Sequence, residues 1–406
     1  MVSEQQIESI VADSLNSLAL NDQRVLVIIP DHTRTIPLPL FFRLIVKHLR
    51  PRVKAVDFLV ALGTHPPMSD EDLLHHVGLT ADEKAAQYDD VRLMNHAWKD
   101  PNALITIGTI PRDEIAQLSN GLLRQEVPVR LNKLILDYDE LLICGPVFPH
   151  EVVGFSGGNK YFFPGIAGPD IIDFTHWLGA LITSYDIIGT QDTPVRRVID
   201  RAASFIPRPR HALCSVITHE GVAGLFFGLP EEAWQAAANL SARVHVRYVD
   251  RPYRQVLSIM PEMYNEIWVG AKGMYKMEPV VADGGELIIY APHIREISVV
   301  HGAVIKQIGY HVRDYFVKQW DQFKHLPWGV LAHSTHLRGI GSYENGVEHP
   351  RIQVTLATGI PREMCEQVNL GYRDPASIDP AEWAARNDPD LLVVPRAGEY
   401  LYRLKT

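Results

Sequence analysis

The chain has 406 residues, 46% hydrophobic and 21% charged, with a formal net charge of −9. Single cores rarely grow past roughly 250–300 residues, so two domains are expected. The acidic balance, with Lys and Arg scattered, excludes the basic footprint of a nucleic-acid binder and points to a small ligand.

No apolar run approaches the ~20 residues of a membrane span. The acidic, amphipathic start MVSEQQIESIVADSL lacks the basic and apolar regions of a signal peptide. Cys144, Cys214 and Cys365 lie far apart without a C-x-x-C spacing, which argues against a disulfide framework or a thiolate metal site. A cytoplasmic location is expected. Histidine, at 18 residues, is the compositional hint of chemistry.

In chain order, short runs rich in Val, Ile and Leu predict strands at 24–30, 54–63, 104–110, 140–148 and 211–218. Helices are predicted over 37–49, over 69–78 with Ser69 as N-cap, over 170–181, and over 230–244. The rhythm then restarts with strands predicted at 256–261, 285–292, 303–309 and 352–359. Continuous apolar strands alternating with helices predict an α/β protein of two domains with mostly parallel sheets and an inter-domain active-site cleft. The expected domains are 1–248, to which 388–406 returns, and 249–387.

Ligands of α/β sheets bind at the loops after the carboxyl ends of strands. Three such loops are the most polar in the chain: PDHTRTIP (30–37), GTHPP (63–67) and PHEVVGFSGGNK (149–160). The last continues into YFFPGIAG, so that five glycines surround Lys160. Glycines there would let backbone N–H groups approach a ligand, and the lysine would meet an anion or a carbonyl-like carbon. The run is neither a P-loop, since Tyr161 follows the Lys, nor a G-x-G-x-x-G turn. A glycine-rich surface turn with a solvated Lys is the plainer reading. Taken alone, His176, at the edge of an apolar helix stripe, reads more readily as a boundary histidine than as a ligand, and His32, His65 and His150 as ordinary loop residues.

Taken together, D-H-T-R (Asp31 to Arg34), G-T-H (Gly63 to His65), P-H-x-x-x-G-F-S-G-G-x-K with P-G-I-A-G (Pro149 to Gly168), and His176 resemble the nickel-pincer lactate racemase family of 2-hydroxyacid racemases and epimerases. The resemblance implies a nickel-pincer nucleotide, pyridinium-3,5-bisthiocarboxylic acid mononucleotide nickel. Lys160 would be joined to it covalently and His176 would be the protein ligand to nickel, while Asp31, Ser156, Gly157 and Gly158 would line the cofactor. A neutral imidazole and planar donors suit Ni(II).

The resemblance further implies reversible hydride transfer through a 2-keto acid, with His65 and His150 as the acid–base pair, one for each hand of the substrate. Arg34 would grip the carboxylate, with Asp31 bonded to Arg34 or to the cofactor's sugar; Lys272 and Trp328 would be further substrate contacts. The implied partners are a small 2-hydroxy acid and the enzymes that make the cofactor, with neither nucleic acid nor membrane.

The second half departs from the lactate pattern. Val269 stands where lactate racemases carry Gln, beside Trp268, and His333, His336, Arg338 and Tyr343 are additions. These changes imply an acid other than lactate, larger or more hydroxylated. Two other readings stay open: a zinc-type hydrolase built from His65, His150 and His176 with Asp31, though no H-E-x-x-H is present, and a non-catalytic homologue that binds a cofactor or small molecule.

Overall fold

The computed structural model describes residues 1–405. Two units emerge from its internal contacts. The first holds Met1–Phe148, Ser156–Ile172 and Arg196–Val244; the second holds Pro149–Phe155, Asp173–Val195 and the chain from His245 onward.

The first unit is organised by a sheet of β1 (Arg24–Ile29), β2 (Ala55–Val60), β3 (Leu93–Asn95), β4 (Glu140–Pro146), β5 (Arg210–Thr218) and β6 (Gly221–Gly228). Their order is β3-β2-β1-β4-β5-β6, parallel throughout except for β6, which runs antiparallel to β5. Every residue of β4, and all of β1 after Arg24, is buried. That is why these strands read as unbroken apolar runs rather than alternating ones. Helix α1 (Glu4–Asn16) starts at a capping box between Ser3 and Gln6 and buries Ile7, Val11 and Leu15, one residue per turn. Helix α2 (Leu38–Leu49) follows Pro37 and buries Phe41, Phe42, Ile45 and Leu49 in the core shared with β1 and β2.

Strand order reverses between β1 and β4. The chain leaves β1 toward β2 and β3, then returns to the other side of β1, and a crevice opens outside the carboxyl ends of strands at such a reversal. The fold therefore brings the loops after β1 and β4 together.

The second unit contains a parallel sheet of β7 (Tyr253–Ile259), β8 (Val281–Ala291), β9 (Gln353–Thr358), β10 (Gly371–Tyr372) and β11 (Leu391–Val394), in the order β10-β9-β8-β7-β11. Helix α3 (Pro169–Ile182) passes from the first unit into the second, α4 (Pro230–His245) ends at the boundary, and α5 (Trp328–Arg338) lies in the second unit. Among the described residues no helix is long and apolar enough to cross a membrane.

The mixed α/β architecture with mostly parallel sheets is as expected. Several details differ. The predicted strand at 303–309 is a helix, Gly302–Ile308, because the buried residues Gly302, Ile305 and Ile308 recur every third position around the polar pair Lys306–Gln307. Leu104–Ile110 is extended but pairs antiparallel with Val127–Asn132, outside the main sheet.

The boundary expected at 248 falls at 244, and residues 388–406 do not return to the first unit. Leu391–Val394 adds to β7 and Leu401–Leu404 pairs with Val246–Val249, both within the second unit. The segments 149–155 and 173–195, expected in the first domain, belong by packing to the second.

Candidate active site

In the first unit the loops after β1 and β2 meet at Asp31. This carboxylate is buried, with 4% exposure. Its Oδ1 accepts from the Thr33 backbone N–H at 3.0 Å and hydroxyl at 2.7 Å, and its Oδ2 holds Nδ1 of His65 in a short contact. Burial alone would raise the Asp31 carboxyl, but the charge and hydrogen bond of His65, the charge of Arg34 and the Thr33 hydroxyl outweigh it and hold it well below the usual carboxylate range.

An ionised carboxylate only accepts, so Nδ1 of His65 carries the proton and Nε2 is left as the basic nitrogen. The turn that presents His65 depends on Gly63, at φ +56°, whose N–H bonds the Gly165 carbonyl at 2.9 Å. Thr33 and His65 bond the two oxygens of Asp31, because the parallel pairing of β1 with β2 ends both loops side by side, and the Arg34 charge also acts on it.

The glycine-rich segment after β4 is buried at every residue from Val152 to Gly168 except Lys160. Its glycines are required by the protein itself. Gly157 and Gly158 have φ of +86° and +58°, and an added Cβ would lie 2.5 Å from Val147 Cγ2 and 2.7 Å from Trp234 Cβ respectively. The Gly157 carbonyl accepts from Nη1 of Arg196 at 3.3 Å, whose guanidinium lies 4.1 Å from the centre of the Trp234 ring.

Ser156 directs its hydroxyl to the strand end, accepting from Phe148 N–H at 2.9 Å and facing the Pro146 carbonyl at 3.4 Å, while Trp234 Nε1 donates to its carbonyl at 2.9 Å. Asn159 bonds Asp200 and Glu231 at 3.0 and 2.7 Å. Tyr161 packs its phenol on Gly145 of β4, where a Cβ would stand 1.9 Å from the hydroxyl, and its environment includes the charges of Arg34 and Asp31. The bare backbone thus lies against Val147 and Trp234. Within the segment, Lys160 alone is not fully buried.

In the second unit, Pro149–His150 and Gly154–Phe155 form a tight antiparallel pair that carries His150. Gly154, at φ +83°, lies so close to Thr190 O that a Cβ would stand 1.8 Å from it. His150 is 6% exposed, and its Nδ1 faces Glu151 Oε2 at 3.2 Å and the Val152 N–H at 3.1 Å. The Val152 N–H donates to Nδ1, so in the neutral ring Nδ1 holds the lone pair and Nε2 the proton, the reverse of His65, while the Glu151 carboxylate beside Nδ1 would stabilise the doubly protonated ring. Glu151 was not singled out from the sequence; a carboxylate directly following the histidine was the available signal.

His176 sits half-buried on α3. The first turn of α5 packs beside it: Gly329 N–H donates to Asp173 Oδ1 at 2.9 Å, and a Cβ on Gly329 would stand 4.0 Å from His176 Cγ. Trp328 donates its indole N–H to Lys324 O at 3.0 Å and tilts against Trp320. Lys272, 9% exposed, holds its ammonium 4.5 Å from the centre of the Tyr264 ring.

Of the expected site residues, Asp31, Arg34 and His65 come together in the first unit, which also contains Ser156, Gly157, Gly158 and Lys160. His150, His176, Lys272 and Trp328 fall in the second. Among the described residues no three His, Cys, Asp or Glu side chains form a metal-binding group.

Residues 2–185 match the lactate racemase N-terminal domain. The chain is 24% identical over 286 residues to a lactate racemase of Thermoanaerobacterium thermosaccharolyticum and 29% identical over 168 residues to one of Lactiplantibacillus plantarum. These matches take in 68% and 41% of this chain but only 62% and 35% of the two relatives, less than two thirds of either. A crystal structure of a Thermotoga maritima protein superposes with a TM-score of 0.91 at 33% identity, over 99% of this chain and 98% of the other. The lactate racemase apoprotein of T. thermosaccharolyticum superposes with a TM-score of 0.75 over 99% and 93%, and its 21% identity speaks to the fold alone. Residues 2–185 thus carry a lactate racemase N-terminal domain, and these relatives, with the ordered motifs from Asp31 to His176, support the lactate racemase family for the chain.

Proposed function

We propose that this protein is a racemase or epimerase of a 2-hydroxy acid that works with a nickel-pincer nucleotide. The observation that carries the reading is a pair of imidazoles, each with a carboxylate oxygen near its Nδ1, Asp31 at His65 and Glu151 at His150. Inverting a carbon that bears a hydroxyl needs a proton acceptor for each hand, and each acts as the donor in reverse. A carboxylate beside the imidazole stabilises the imidazolium that forms when the ring takes the hydroxyl proton.

The residues present suit the cofactor. Lys160, the residue that would carry the attachment, is the one residue in the segment 152–168 that is not fully buried. His176 would hold the metal through a single imidazole, and the cofactor would supply the other donors. When bound, the group would supply a hydride acceptor for the hydrogen on the carbinol carbon. The protein's own work is then proton transfer at His65 and His150 and, at Arg34 and Lys272, retention of the substrate carboxylate. The partners in this reading are the acid itself and the enzymes that build and deliver the cofactor, in the cytoplasm.

The test is to express the protein together with cofactor-making enzymes and measure nickel content and intact mass. The expected result is stoichiometric nickel, an added mass that Lys160→Ala abolishes, and nickel loss in His176→Ala. Protein that acquires neither nickel nor added mass, and inverts no 2-hydroxy acid, would overturn the proposal.

A further inference from the structure

Helix α5 is buried at every residue from Val330 to Arg338, and it carries five polar side chains within that stretch. Most have protein partners. Ser334 bonds Gly309 O at 2.8 Å, Thr335 bonds Ala332 O at 2.9 Å, and Arg338 has Glu348 within 3.9 Å. His333 has one: its Nε2 meets Trp268 O at 3.0 Å, and its ring stacks on Trp268 at 3.9 Å with 7° between planes. His336 has none on either nitrogen among the described residues, and Nδ1 of His333 is likewise without a partner. Buried polar groups are nearly always satisfied in native proteins, so three orphaned ring nitrogens on one helix call for something that binds them.

Their position shows what that is. Gly329, His333 and His336 are spaced four and three residues apart and so share one face of α5. Gly329 abuts Asp173 and His176, which puts the two histidines farther along the same face from the proposed nickel ligand. The electrostatic neighbours of His336 are Glu151, which backs His150, and His176 itself.

Resting on the racemase reading above, we infer that His336 and Nδ1 of His333 bind hydroxyl groups on the substrate chain beyond the reacting carbon. The donor and acceptor count, one N–H and two lone pairs, selects at least two hydroxyls. Trp268 O can only accept, so Nε2 of His333 carries the proton and Nδ1 offers a lone pair. His336 offers one donor and one acceptor when neutral, and burial keeps both rings neutral near pH 7, lowering His333 to about 3 and His336 to about 4. A hydroxyl both donates and accepts. A second carboxylate would leave the lone pairs unmet, and a methyl group would leave all three nitrogens unmet.

The test compares cofactor-loaded wild type, His336→Phe and His336→Gln on lactate, malate, and the aldonates glycerate, erythronate and gluconate. Wild type should favour an aldonate. His336→Phe should lose on the order of 100-fold in kcat/KM for that aldonate while lactate changes little, and His336→Gln, which keeps a donor and an acceptor, should recover most of the loss. A readout without turnover accompanies it: the favoured aldonate should raise the melting temperature of wild type but not of His336→Phe. A uniform loss on all acids, or an undiminished aldonate preference in His336→Phe, overturns the inference. Wild type that inverts lactate or malate but no aldonate also overturns it while leaving the racemase reading in place; loaded wild type inactive on every acid tested overturns both.

Discussion

Replacing Glu278 by Gln should stabilise the protein at pH 8 and scarcely affect it at pH 5. Glu278 is fully buried, its Oε1 accepts from the Ile340 N–H at 2.8 Å, its Oε2 is without a partner, and the Arg351 guanidinium stands 4.0 Å away. Burial pushes its carboxyl up to about 7, with the Ile340 bond and the Arg351 charge pulling part of the way back. An unfolded Glu titrates near 4.3, so between about 4.3 and 7 the folded chain holds a proton that the unfolded chain has released. Stability from this group is therefore full at acid pH, falls as pH rises through that window, and is level above it.

At about 1.4 kcal/mol for each pH unit separating the two values, the whole loss amounts to roughly 4 kcal/mol, of which about 3 kcal/mol falls between pH 5 and pH 8. A Gln keeps the bond from Ile340 and never ionises, so the difference between variant and wild type should grow by about that amount from pH 5 to pH 8. Urea denaturation of both proteins at pH 5, 6, 7 and 8 reads it, since every other titrating group is common to the two. Parallel pH profiles, or a variant less stable than wild type at pH 8, would refute the reasoning.

His65→Ala and His150→Ala should each lower racemisation by about 10²–10⁴-fold, with nickel content unchanged; full activity in both variants would remove them from the mechanism. Asp31→Asn, which keeps the Thr33 contacts but withdraws the charge behind His65, should reduce kcat by roughly 10²-fold or more with little effect on KM, and a KM effect alone would argue against a proton-transfer role. Gly158→Ala should destabilise by about 1–3 kcal/mol, because the left-handed backbone and the Trp234 contact are both violated. Gly63→Ala, with nothing within 4 Å of the new Cβ, should cost only the backbone strain of about 1 kcal/mol, and equal losses in the two variants would contradict the packing explanation.

The central strands were legible because a parallel sheet covered on both faces buries whole runs such as VLVII and ELLICGP. The glycine-rich β6 and the three-residue β3 gave too little apolar signal, and the helix 302–308 was hidden in a short run whose period was read as that of a strand. Unit membership was out of reach for a different reason. Whether 149–155 and 173–195 pack with residues a hundred positions later depends on tertiary contacts that no local pattern records.

The site residues themselves could be named from motif spacing, but their pairing could not. Asp31 meets His65 only because β1 and β2 are parallel neighbours in register, and the glycines of 157–158 answer to Val147 and Trp234, one just before the segment and the other far downstream. His336 was visible only as a departure from the lactate pattern. Its unpartnered nitrogens belong to three dimensions.

The most direct measurement of the central claim follows the hydrogen on C2. Loaded enzyme is given a 2-hydroxy acid deuterated at that carbon, in ordinary water, and the inverted product is analysed by mass spectrometry. If the hydrogen leaves and returns as hydride while His65 and His150 handle only the hydroxyl proton, the label stays in the product. Product that has lost its deuterium to solvent would mean that the imidazoles abstract the C2 proton itself, contradicting the account.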